Sequence, residues 1–188
     1  MNQAFRATVA ATVRRLQASQ TQAQATFLPE RLLLLGQDVQ EPTSQVDYLE
    51  SLAIAAQRAA NSVLCSSILA GHTSESDDFS DVSIWLGEGS FGKGNEQSIV
   101  KALGLDSGGR VSQISPVPIS EGSKIPTTVR VNAPTPELED LAAQLAELQD
   151  LHCFSTHPTS GSDVIYALVG KNVNGWGGLV GIGIWSDD

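Results

Sequence analysis

The sequence predicts an α+β fold: an α-β-α sandwich, with helices packed on a mostly antiparallel sheet that closes in a C-terminal hairpin. Three observations predict it. Residues 44–68 and 135–148 carry apolar stripes at helical period. Val82, Ile84 and Leu86 alternate with Ser83 and Trp85, the period of a strand with one buried face. Two further apolar runs, 164–169 and 178–185, flank a turn rich in Asn and Gly, and helices and strands alternate irregularly.

Taken in order, residues 3–25 predict one helix, with Phe5, Val9, Val13 and Leu16 at helical spacing. Pro29 follows, and Leu32 to Leu35 form a short helix or strand. Residues 37–43, with Pro42, are a linker. Residues 1–43 are thus expected as a helical extension and linker, and residues 44–188 as the α+β domain. Ser44, with Asp47 three residues on, opens the next helix as a capping-box-like pair. Leu49, Leu52, Ala53, Ala56, Ala60, Val63 and Leu64 make its stripe, and Gly71 ends it. The strand 81–86 follows an acidic loop. Gly94-Asn95-Glu96 opens a helix with Ile99, Val100 and Leu103 inside. Residues 111–118 and 127–131 are expected as strands, with Pro116, Pro118 and Pro126 at edges or bends. Thr135-Pro136 then starts the best-marked helix: a cap, Pro at the first helical position, and Glu137, Glu139 and Asp140 near the positive end of the dipole.

With 188 residues the chain can bury an ordinary core. No run of about eighteen apolar residues exists, so no membrane helix is expected. The net charge of −10 is unevenly placed. Residues 1–29 hold Arg6, Arg14 and Arg15 and no acid, so the remainder carries −13. An acidic body argues against direct nucleic-acid binding, which needs Lys and Arg on phosphates. It suits a basic partner. Cys65 and Cys153 form no disulfide framework and no zinc pattern, which makes a reduced cytoplasm the expectation. The Arg-bearing, acid-free N-terminus also has the composition of an organellar import segment.

Few catalytic patterns stand out. Gly87-Glu88-Gly89-Ser90-Phe91-Gly92-Lys93 has the look of a kinase phosphate loop, but the other kinase motifs are missing and no Walker lysine-serine pair follows. His152, Cys153 and His157, placed by the sequence at a helix end and a loop, have no spacing that demands a metal. No nucleophile elbow occurs. The expectation is a protein without a catalytic residue and without a cofactor. An uncharacterised hydrolase is the third alternative.

The acidic loop carries more information. Thr73-Ser74-Glu75-Ser76-Asp77-Asp78-Phe79-Ser80-Asp81 leads directly into the strand, so a rigid element presents several carboxylates. The stretch from Ser74-Glu75-Ser76 to Trp85-Leu86-Gly87 resembles the nuclease A inhibitor family, small proteins that block a sugar-non-specific DNA/RNA endonuclease. Asp163 to Gly170, then Gly178 to Ile182, resembles that family's final hairpin. The two stretches cover less than a fifth of the chain. The resemblance implies an α-β-α sandwich and a partner: a metal-dependent nuclease with a basic cleft. It implies that Glu75 is a key interface residue, with Asp77 and Asp78 beside it mimicking phosphates. It further implies that the chain end, Asp187 and Asp188, reaches the metal of the nuclease, so that Asp188 would be a ligand only through its partner's ion. Asp81 is expected as a rim acid. The family's interface Trp is missing from residues 130–140, and Trp176, on the Gly-rich turn, is the candidate in its place. The alternative is an acidic protein-binding module of the same fold whose partner is not a nuclease.

Overall fold

The computed structural model describes residues 3–18, 25–105, 111–158 and 161–185, with the backbone alone at 111, 112 and 158. The fold is α+β. In chain order it comprises α1 (Gln3–Gln17), β1 (Thr26–Leu28), β2 (Leu33–Leu35), α2 (Val46–Ser62), β3 (Val82–Gly87), α3 (Glu96–Ala102), β4 (Val111–Val117), α4 (Pro136–Leu145), β5 (Gln149–Pro158), β6 (Asp163–Asn172) and β7 (Gly175–Ile184). Short 3-10 turns occupy Pro29–Arg31 and Gly71–Thr73. One seven-stranded sheet runs β1-β2-β3-β7-β6-β5-β4, and β2–β3 is its parallel pair.

Side-chain alternation divides the core into two layers. Val82, Ile84 and Leu86 of β3, Ala167 and Val169 of β6 and Val180 and Ile182 of β7 meet α1 and α3 on one face. Tyr166, Leu168 and Leu179 meet α2 and α4 on the other. α4 follows its sequence signals: the Thr135 hydroxyl accepts from the Leu138 amide at 3.2 Å, and Leu138, Leu141 and Leu145 are buried. Each such leucine contributes roughly 1.5–3 kcal/mol by leaving water. Residues 1–43 contribute α1, β1 and β2, and the side chains of Val9, Val13 and Leu16 lie in the same core as β3.

Four expectations change. The first helix spans Gln3–Gln17, and Thr26–Leu28 pairs with β2 as a strand. The helix opening near Ser44 has Gln45 as its N-cap, without a side-chain cap. Ser44 Oγ instead accepts from the Asn174 side chain, tying the β6–β7 tip down. That helix also stops at Ser62, well before Ile68, because Leu64 turns left-handed at φ 60°. The Leu64 amide donates to Asn61 O and the Cys65 amide to Ala60 O, the paired bonds of a Schellman cap with Leu where Gly is usual. A left-handed Leu costs roughly 1–2 kcal/mol. Third, residues 127–131 form a turn, not a strand. The Pro126 nitrogen has no proton to donate, and Thr128 O is taken by the His72 amide. Fourth, Gln149–Pro158, expected as a helix end and a loop, is a ten-residue strand paired on both sides. His152, Ser155 and Thr156 are all buried in it, and these inward polar residues hide its alternation.

Candidate functional site: the acidic loop

The loop at residues 73–81 is held at both ends. At its start, the Ile184 amide donates to Ser74 Oγ at 3.2 Å, and the Glu75 amide donates to Ile184 O at 3.0 Å. The loop thereby extends β7 sideways. Within it, Ser66 Oγ and Ser74 Oγ both donate to Ser76 O, at 3.3 and 3.2 Å. The Asp78 amide donates to Ser76 Oγ, and that hydroxyl donates to Asp78 Oδ2, each at 3.2 Å. At its end, Thr12 Oγ1 donates to Ser80 O at 2.7 Å and accepts from the Ser80 amide at 3.1 Å. The small hydroxyl side chains that make the stretch look like a flexible linker are what pin it.

Glu75, Asp77 and Asp78 are exposed on this frame. Asp81 is not a rim acid: it is 2% exposed. Its Oδ1 accepts from Ser67 Oγ and its Oδ2 from the Ile68 amide, both at 2.6 Å. Burial pushes its carboxyl up to about 6, against the opposing hydrogen bonds from Ser67, Ile68 and Leu69. Asp81 is therefore a structural clamp that joins the 66–69 turn to the start of β3.

The clamp predicts a pH effect. The folded protein holds the Asp81 proton more tightly than the unfolded chain, whose carboxylate keeps its ordinary value near 3.8. Its contribution to stability is full below about pH 4 and is lost as the pH rises through about 6. The loss is on the order of 2–3 kcal/mol. Asp81→Asn removes this component. Urea unfolding of both proteins at pH 4.5 and 7.5 checks it: equal pH dependence in the two would refute the assignment.

Trp176, expected as an exposed interface residue on the turn, is 6% exposed. Its indole lies edge-on to His152, with centroids 6.5 Å apart, and its ring would lie 3.3 Å from a Cβ at Gly92. The Gly-rich loop that resembles a kinase motif thus packs on Trp176. The exposed apolar residue at the turn is Val173, 91% accessible. Two other apolar residues are exposed instead: Trp185, which the sequence did not single out, and Leu64, expected in the buried stripe of its helix. Trp185 is 48% exposed and follows directly on Ile184, the residue that holds Glu75. Leu64 is 91% exposed and lines a groove together with Asp77. A Trp adjoining the acidic end of the sequence was a usable signal for the former; nothing in the residue order marks Leu64. Asp187 and Asp188 lie outside the described residues.

Other chemistry-bearing side chains are occupied structurally. Burial pushes the Cys65 thiol up to about 12, with Asp81 and Asp77 adding to it, and burial also raises Cys153. Both thiols are packing groups in this state. His72 accepts from the Arg130 amide at 3.1 Å. Among the described residues, no three His, Cys, Asp or Glu side chains are grouped to hold a metal, and no helix is long and apolar enough to cross a membrane. No protein-family model, curated protein or solved structure matches the chain.

Proposed function

We propose that this protein is a non-enzymatic inhibitor that places its acidic loop in the basic, metal-containing cleft of a sugar-non-specific endonuclease. The observation that carries this reading is the loop itself: Glu75, Asp77 and Asp78 are exposed on a backbone fixed by β7 at one end and by α1 at the other. Carboxylates presented on a fixed frame lose little freedom on binding, so their attraction for a cationic cleft is retained as affinity. Carboxylate oxygens are also hard acceptors of the kind that Lys, Arg and divalent ions recognise in phosphate. Trp185, half exposed, follows Ile184 and stands edge-on to His157 with centroids 6.3 Å apart; it is of the residue type that dominates interface cores.

The direct test is hydrolysis of double-stranded DNA by metal-dependent, sugar-non-specific endonucleases at rising concentrations of the protein. Stoichiometric loss of hydrolysis is expected with at least one such enzyme. Undiminished hydrolysis throughout, with no complex on sedimentation, would leave the non-nuclease partner as the better reading.

The chain end refines the proposal. If Asp187 and Asp188 approach the ion of the nuclease, deleting both weakens binding in Mg²⁺ and costs much less in chelator. The fold persists, because Val180 and Ile182 of β7 stay buried. An equal loss in both conditions would remove the metal from the account.

A further inference from the structure

The exposed Leu64 leads to a second part of the same binding face. It stands at the rim of an open groove of about 670 Å³ between α1 and α2. Phe5, Thr8, Ile54 and Gln57 line the groove, Leu64 forms one lip and Asp77 of the acidic loop forms another. Phe5 and Ile54 are only partly buried and lie against the core, so the groove has an apolar floor. The side-chain oxygen of Gln57 is buried and has no hydrogen-bond partner among the described residues.

Two features of this groove ask for an occupant. A large apolar side chain is held in solvent by a left-handed backbone, where glycine would cap the helix without strain. Strain of this kind at an exposed position marks a surface that serves something besides folding. The lip at Asp77 continues into Asp78 and Glu75. Arg58, also on the lining, borders the neighbouring recess lined by Asp47, Glu50 and Asp140.

We infer that the groove seats a basic, amphipathic segment of a partner protein: its apolar side chains rest on Phe5, Ile54 and Leu64, and its Lys or Arg residues face Asp77. This rests on the reading of the acidic loop as a partner-binding face, and extends it to a recognition element that α1 helps to build. It gives the first helix a role at the interface, since α1 supplies both a wall of the groove and the Thr12 contacts that hold Ser80.

The test separates folding from binding in one substitution. Leu64→Gly relieves the left-handed leucine and is expected to raise the urea midpoint. The same variant is expected to bind a fluorescein-labelled Lys/Leu amphipathic peptide at least tenfold more weakly than the parent chain. A peptide of equal charge with Ser in place of Leu is expected to bind both proteins alike and weakly. Equal binding of the Lys/Leu peptide by parent and variant overturns the inference. So does concentration-dependent self-association that Leu64→Gly abolishes, which would assign the groove to a second copy of the chain. The peptide is no nuclease, so failure here leaves the Glu75 reading standing. Failure of Glu75→Ala to weaken an endonuclease complex would leave the groove result standing in turn.

Discussion

Glu75→Ala is expected to weaken the proposed endonuclease complex by on the order of 2–5 kcal/mol, the range for losing one partner of a desolvated charge pair. The Glu75 amide donates to Ile184 O, a backbone bond that does not depend on the side chain. Truncation therefore removes the charge and leaves the loop in place. Asp78→Ala has a different signature. Asp78 accepts from Ser76 Oγ on the exposed side of the loop, so its loss mainly slows association and reduces the salt dependence. Association and dissociation rates of both variants, at two ionic strengths, distinguish these effects. Equal, small losses from the two substitutions would mean that the loop only steers the partner and does not anchor it.

Gly181→Ala is expected to cost about 3 kcal/mol of stability and to disturb the loop as well. A Cβ at Gly181 would meet Asp81 Oδ1 and come within 3.0 Å of Ser67 Oγ. The carboxylate has no room to withdraw, since Asp81 and Ser67 are both buried and bonded to each other. Overpacking alone costs roughly 1–3 kcal/mol. Displacing a buried hydrogen-bonded carboxylate adds to it. The pair forms a double-mutant cycle: in an Asp81→Ala background the same glycine substitution costs less than about 1 kcal/mol, because the obstacle is gone. Equal costs in both backgrounds, measured by urea unfolding, would show that Gly181 is needed for some reason other than room for Asp81.

The elements that the sequence announced are those whose local chemistry agrees with their place in the fold. α4 has its cap, its proline and its leucine stripe in register. β3 was recognisable as a strand by its period, but Ser83 and Trp85 are buried as well, so it is covered on both faces and not on one as its alternation suggested. The elements that it concealed have polar residues doing apolar duty. β5 buries His152 and Thr156 on one face, so its alternation looks like a loop. The candidate site failed in the same way. Asp81 is three residues from Asp78 and indistinguishable from it by residue type, yet one is sealed under Gly181 and the other is exposed. Trp176 looked exposed because glycines surround it in sequence, whereas Gly92 of a distant loop lies against its ring and helps to cover it. The left-handed turn at Leu64 has no signature, since its usual marker, Gly, is absent. Glu75, Asp77 and Asp78 were legible because consecutive acids and serines have few ways to bury themselves.

The two anchors of the acidic loop reach far along the chain: Thr12 holds Ser80 across 68 residues, and Ser74 meets Ile184 across 110. Contacts of such separation form late in folding, after the entropy of closing long loops has been met. During synthesis, residues 73–81 leave the ribosome long before residue 184 exists to hold them. The nascent polypeptide therefore carries the acids in sequence but not in shape. The proposed binding competence is thus a property of the folded molecule, and a half-made copy carries the same acids on an unanchored stretch.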